Sequence, residues 1–320
     1  MIRRIFKFGT KALLIILLLF ALIIFISFAY HRIQLNKESK NIIPIGQQVN
    51  VNGHLMNVYS EGEGENTIVF MSVGGTCSPV LDFKTLYSEL SNKYKIVVVE
   101  KAGYGFSEDS NISRDIDNIL AETRQALILA GHSGPYILAP HSMSGIEALY
   151  WAQKYSNEVS AIIGLDMSVP KAYEALKINM QLTHIIAFTA KVGITRWIPE
   201  LSESDAIKHG TLSLEEKELY KKIFYRGTLT NAMINEIKSI KNNAKLVSEG
   251  DVVDVPVLMF SSNGEGTGFD KKDWNKIHTD FINSIKNGKI IIIDSPHYIH
   301  NYEYKQIAKE IEVFISKLDE

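Results

Sequence analysis

Leu138-Ala139-Pro140-His141-Ser142-Met143-Ser144-Gly145-Ile146 sits where one hydrophobic pattern gives way to another. Ahead of it, residues 136–139 form a short apolar run of strand type, and behind it residues 145–155 carry helical periodicity. A serine between a strand and a helix, flanked by small residues, is the arrangement of a nucleophile elbow. The turn is sharp, so the side chain projects above the sheet, and the close approach of strand to helix demands small neighbours. The helix N-terminus adds partial positive charge and free backbone N–H groups, so the Met143 N–H is placed to donate to an oxyanion. Taken alone, Ser142 reads equally well as a helix N-cap, and the rest of the chain must decide.

Outward from this point the chain alternates between strand and helix. Residues 48–51 and 55–59 are strand-like around Asn52-Gly53, a tight-hairpin signal. Residues 67–71 and 95–99 are mostly apolar and β-branched, which indicates strands covered on both faces, and residues 159–165, 256–260 and 289–293 read as further strands. Helical spacing appears near residues 81–90, over 115–130, and at Ile307, Ile311, Phe314 and Ile315. This alternation predicts an α/β fold with a mostly parallel sheet. Residues 169–250 interrupt it: segments 171–186, 213–225 and 229–240 read as helices with no strand between them, as expected of a helical cap over the sheet.

The chain has 320 residues, 46% hydrophobic and 22% charged, with a net charge of −2. No bulk positive field points to nucleic acid. The single cysteine, Cys77, excludes an intramolecular disulfide and a thiolate zinc site. Residues 12–30 are uncharged and long enough to span a bilayer as a helix, and Arg3, Arg4, Lys7 and Lys11 before them favour a cytoplasmic N-terminus. The competing reading is a signal peptide cleaved at Ser27-Phe28-Ala29, against which stands an apolar run longer than the usual ~7 to 15 residues. Either way the rest of the chain is expected outside the cytoplasm, as a single-pass membrane protein or a secreted one. The expected organisation is a cytoplasmic tip and anchor over 1–30, a stalk over 31–46, a core over 47–168 and 251–320, and the cap over 169–250.

Three further stretches accompany the elbow. Glu100-Lys101-Ala102-Gly103-Tyr104-Gly105-Phe106-Ser107 follows a buried strand, Val255-Pro256-Val257-Leu258-Met259-Phe260 is itself a strand, and Ser295-Pro296-His297-Tyr298-Ile299-His300-Asn301-Tyr302-Glu303 follows the last strand. Together, over residues 47–318, they resemble the α/β-hydrolase family. The first is similar to its D-x-x-G-x-G-x-S loop with Glu in place of Asp, the second to the strand leading to the triad acid, and the third to its histidine loop. Chain order, Ser then acid then His, is also the family's. Pro140 departs from the pattern, standing where a small residue is usual, and so does Ser144, which replaces a glycine.

The resemblance implies an eight-stranded sheet with helices on both faces and a Ser-His-acid triad. Ser142 is the nucleophile and His297 the general base. Counting along the strand places the acid at Glu265, with Asp270 in the same loop and Asp166 at the end of the preceding strand as alternatives. The oxyanion donors are Met143 and a glycine after Met71, Gly75 or else Gly74. His300 is expected to pack beneath the loop, and neither a metal nor another cofactor is expected. The implied reaction is cleavage of a carboxylic ester, with a small amide or peptide as the alternative substrate. Relatives with an aspartate nucleophile, which open epoxides, are disfavoured by Ser142. A non-catalytic ligand-binding or membrane-tethered protein on the same fold is the other class. The expected partners are a small ester or amide and, through residues 12–30, a lipid bilayer. Ile185, Ile186, Phe188, Trp197 and Ile198 are expected either to form the core of the cap or to line an acyl site.

Overall fold

The computed structural model describes residues 2–318; Met1, Asp319 and Glu320, the extreme ends of the expected anchor and core segments, lie outside the described residues. The Asn52-Gly53 pair makes the predicted hairpin, with both residues at positive φ (51° and 88°) between β1 (Gln47–Val51) and β2 (His54–Glu61). That conformation matches the twist of two antiparallel strands. The chain continues through β3 (Thr67–Met71), α2 (Pro79–Leu90), β4 (Lys95–Glu100), α3 (Ile116–Leu129), β5 (Tyr136–Pro140), α4 (Ser144–Lys154) and β6 (Val159–Leu165). Preceding all of these is a long helix, α1 (Ile2–Glu38).

Between β6 and β7 (Val257–Ser261) the elements are helical: α5 (Pro170–Ala175), α6 (Met180–Lys191), two 3-10 turns at Ile194–Trp197 and Pro199–Ser202, α7 (Asp205–Lys208), α8 (Leu214–Gly227) and α9 (Asn231–Ser248). The chain ends with α10 (Lys271–Asn283), β8 (Gly288–Ile292), α11 (Ile299–Tyr302) and α12 (Tyr304–Ser316). The strands form one eight-stranded sheet in the order β1-β2-β4-β3-β5-β6-β7-β8, antiparallel at β1-β2-β4 and parallel from β4 onward. It is the eight-stranded, mostly parallel sheet that the resemblance implies.

Side chains along each parallel strand alternate between two cores. Val69, Val97, Leu138, Ile162 and Met259 meet residues of α3, α4, α9 and α10 on one face, while Phe70, Val98, Ile137, Ile163 and Phe260 meet α2 and α12 on the other. Cys77 belongs to a smaller cluster that joins α2 to α7 and α8. Burial pushes its thiol up to about 12, so it behaves as a small hydrophobe.

α1 and the 3-10 turn that follows it contain the stretch Phe8–Asn41, which is long and apolar enough to cross a membrane. The helix does not stop at the end of the apolar run: it continues unbroken to Glu38, so residues 31–38, expected as part of a stalk, are a further two turns of the same rod. Those turns and the end of the apolar run dock on the cap. Ser27 Oγ donates to the Val192 carbonyl at 2.9 Å, and Arg196 reaches Glu38 with two bonds of 2.8 and 2.7 Å and His31 Nδ1 at 2.8 Å. A Cβ on Gly193 would lie 2.3 Å from His31 Cβ, so only glycine admits this approach.

Candidate active site

The carboxyl ends of β3, β5, β6 and β7 meet at one edge of the sheet, and each supplies part of the site. β5 ends at Pro140, in register with Met71 on β3. The proline's missing N–H does not interrupt the junction, because the next residue, His141, donates its N–H to the Met71 carbonyl at 3.0 Å. Ser142 then takes φ 54°, a left-handed conformation that a residue with a side chain adopts only under constraint. Ser144 Oγ supplies part of that constraint: it lies 2.7 Å from Met71 O and 2.9 Å from His141 O, and accepts from His141 N at 3.0 Å. The Ser168 N–H adds another, donating to Ser142 O at 2.8 Å. A Cβ on Gly145 would come within 2.2 Å of Ser168 O, so the position tolerates no side chain. Ser144 as a pin between two strands, rather than a mere substitute for glycine, is a role that the sequence pattern did not suggest.

The carboxylate that meets His297 is not the one reached by counting along the strand but Asp166, one of the two alternatives. Asp166, just after β6, has φ 50° and is fully buried. Its Oδ2 lies 2.5 Å from His297 Nδ1, while its Oδ1 accepts from the Ser262 N–H at 2.7 Å and from Trp274 Nε1 at 2.8 Å. Burial pushes the carboxyl up, but the hydrogen bond and charge of His297, the charge of His278 and the Ser262 N–H outweigh it and hold Asp166 below its ordinary value.

Glu265 is not the partner. Its side chain is exposed, and it is its backbone carbonyl that meets the histidine loop, accepting the His297 N–H at 2.9 Å. Gly264, Gly266 and Gly268 all have positive φ, so this loop turns its backbone toward the site and its carboxylate outward. Asp270 is also elsewhere: it caps α10, accepting from the Asp273 N–H at 2.8 Å.

His297 is held from several sides. Its carbonyl lies 3.1 Å from His141 Nε2, the two rings are 4.6 Å apart, and a Cβ on Gly266 would be 3.2 Å from its own Cβ. Burial, then the neighbouring His297 and His300, push His141 far below its ordinary value, so it is neutral and Nε2–H donates to the carbonyl. His300 packs on Phe83 and His141 with centroids 4.9 and 4.7 Å apart, and burial pushes it down to about 3. Among the described residues no cluster of three or more His, Cys, Asp or Glu side chains is arranged to hold a metal.

Ser142 and His297 line the same cavity, with about 370 Å³ of atom-free space, walled also by Tyr173, Leu176, Phe269 and Trp274. A larger concavity of about 1010 Å³ between α4, α9 and α10 contains neither residue. Here chemistry rather than size identifies the site.

Met143 directly follows Ser142 as the N-cap of α4, where the first N–H groups have no intrahelical acceptor. Gly75 does not offer a free donor: its N–H donates to the Tyr104 hydroxyl at 3.2 Å. Tyr104 in turn donates to Glu236 of α9 at 2.7 Å, and Glu236 is ion-paired with the buried Lys101. Gly74 is the glycine that faces Met143, since a Cβ there would lie 2.3 Å from Met143 Cε. The loop after β3 is therefore tied through Tyr104 and Glu236 to the cap.

The Glu100 loop is a brace. The buried Glu100 carboxylate accepts from Phe106 N at 2.7 Å, Asn57 Nδ2 at 3.0 Å and Val80 N at 3.4 Å, and Ser107 Oγ donates to Glu100 O at 2.6 Å. Gly105, at φ 54°, has the carboxylate 2.0 Å from where a Cβ would be.

No described protein-family profile matches the chain. It is 37% identical over 315 residues to the uncharacterized protein YbdG of Bacillus subtilis, covering 93% of this chain and 95% of that one. Among solved structures, an epoxide hydrolase of Bacillus megaterium superposes with a TM-score of 0.63 at 17% identity, covering 84% of this chain and all of that one (100%). A thermophilic esterase from Thermogutta terrifontis superposes with a TM-score of 0.64 at 14% identity, covering 85% and 99%. At these identities the likeness is one of fold.

Proposed function

The chain belongs to the family of Bacillus subtilis YbdG, and for this member of it we propose a serine hydrolase that cleaves a carboxylic ester through an acyl-enzyme. The observation that carries the reading is the cavity shared by Ser142, on its constrained turn, and His297, whose Nδ1 is bonded to the buried Asp166. With Nδ1–H given to Asp166, Nε2 is the acceptor nitrogen. It takes the Ser142 proton as Oγ attacks the ester carbonyl, then returns it to the departing alkoxide; water repeats the two steps to release the acid. Asp166 stabilises the imidazolium formed in between. The Met143 N–H, with a second from the loop at Gly74, receives the oxyanion.

The fold likeness extends to an epoxide hydrolase as well as an esterase. A serine rather than a carboxylate at the elbow favours acyl transfer over epoxide opening. Ser142 would be acylated by a small amide through the same steps, with the His297 imidazolium protonating the departing amine, and the ester is preferred because its alkoxide leaves with less help from that proton. α1 is read as an uncleaved anchor with the basic residues of its start on the cytoplasmic side and the hydrolase outside. Its docking on the cap through Ser27, His31 and Glu38 supports retention over cleavage.

A fluorophosphonate probe tests the chemistry. Wild type should be labelled and Ser142→Ala should not, with p-nitrophenyl ester turnover lost in parallel. Absence of labelling in folded wild type would leave a ligand-binding protein on a hydrolase fold.

A further inference from the structure

α6 is a twelve-residue helix whose single buried residue is Ala190. Leu182, Ile185, Ile186 and Phe188 are 52%, 60%, 43% and 52% exposed, and Trp197 and Leu201 just beyond are 61% and 53% exposed. They form neither a cap core nor the wall of the Ser142 cavity, the two roles that the sequence suggested for such residues. A contiguous apolar face of this kind marks a contact with something apolar.

Its position says what that is. Val192, one residue after α6, receives a hydrogen bond from Ser27 of α1; Trp197 Nε1 donates to the same Ser27 at 3.0 Å, and its ring lies 5.7 Å from that of Tyr30. Ser27 and Tyr30 belong to the last turn of the uncharged stretch 12–30, whose 19 residues rise ~28 Å, the thickness of a hydrocarbon core. The C-terminal end of α6 is therefore fixed at the level where the anchor leaves the hydrocarbon, and Trp197 stands where interfacial tryptophans do.

Resting on the reading of α1 as an anchor, we propose that α6 and the turn after it are a second membrane contact, sunk in the phospholipid interface, and that the enzyme draws an acylated lipid-phase substrate from there. The path is short. α5 walls the catalytic cavity through Ala172 and Tyr173, Leu176 follows on the same wall, and three further residues lead into α6.

The test uses full-length protein in phosphatidylcholine vesicles with and without bromine on the acyl chains. Of the three tryptophans, Trp151 and Trp274 are buried, so Trp197→Phe provides a background into which single reporters are placed. Phe20→Trp reports on the anchor and Ile185→Trp on α6. Ile128→Trp, at an exposed position near the amino end of β5 and far from the cap, is the control. The added emission of Phe20→Trp and Ile185→Trp should fall by about twofold or more in brominated vesicles while Ile128→Trp is unchanged. Quenching of Phe20→Trp without Ile185→Trp, repeated with Phe188→Trp, would overturn the α6 contact and leave the anchor standing. Quenching of neither would overturn both. A concentration-dependent dimer that shields Ile185→Trp from lipid would assign the face to a second copy of the chain and equally overturn the proposal.

Discussion

Replacing Asp166 by asparagine should disable the site while sparing the fold, and the hydrogen bonds say by how much. Asp166 Oδ1 already accepts from two buried donors, Ser262 N and Trp274 Nε1. An asparagine must keep its carbonyl oxygen there, because turning its NH2 toward two N–H groups would orphan both at about 1 to 3 kcal/mol each. The NH2 then faces His297 Nδ1, where Oδ2 now lies. The imidazole must become an acceptor at Nδ1, which moves its proton to Nε2 and leaves no base for Ser142. Loss of the working tautomer lowers kcat on the order of 10⁴, about 5 kcal/mol of barrier. The assay is p-nitrophenyl ester turnover, with fluorophosphonate labelling rates as a second readout and thermal unfolding as the control. Glu265→Gln, on the exposed face of its loop, should change kcat less than about twofold. A folded Asp166→Asn enzyme with near wild-type turnover, or a collapse of activity in Glu265→Gln, would refute the assignment.

Gly105→Ala should destabilise the protein by about 3 kcal/mol, because the residue is left-handed and its new Cβ meets the Glu100 carboxylate; an unchanged Tm would count against the brace. Glu236→Ala should cost about 3 kcal/mol by leaving the buried Lys101 with only the longer 3.9 Å contact to Glu147, as read by chemical denaturation, whereas Glu236→Gln, which keeps an acceptor for Tyr104, should cost less. Burial pushes Glu100 up to about 7 from 4.5, so the folded protein keeps this proton after the unfolded chain has released it. Its contribution is complete below pH 4.5 and fades as pH rises to about 7, a loss of about 3 kcal/mol that should be missing from the pH–stability curve of Glu100→Gln.

The centre of the sheet was legible because strands such as β3 and β4 are buried and spell themselves as β-branched runs, whereas the edge strand β8 has no buried residue because no strand lies beyond it; Asn52-Gly53 gave the hairpin for the reason that few other pairs take two positive φ angles in succession. That Ser142 and His297 would face one cavity was legible because each stands at a strand end in a recognisable loop. The carboxylate bonded to His297 was not, since the choice between Glu265 and Asp166 depends on which way a loop faces, and three glycines with positive φ set that direction without leaving a pattern in side-chain chemistry. Gly75 failed for a related reason: its flexibility was visible, but the tyrosine that occupies its N–H comes from a loop 29 residues away. The roles of His141 and Ser144 were hidden because both act through backbone atoms of distant strands. The exposed face of α6 looked like core because hydrophobicity alone does not say whether an apolar side chain is buried in the protein.

The unbroken run of α1 into its seat on the cap would make the proposed anchor a rigid leg rather than a leash. A catalytic domain on a leash samples many heights and tilts above the surface; one bolted to a straight rod by a two-pronged arginine clamp keeps a single stance. Cutting the rod away to obtain a water-soluble fragment would strip Arg196 of its carboxylate and Val192 of its cover, leaving the fragment with a frayed cap directly above its catalytic chamber.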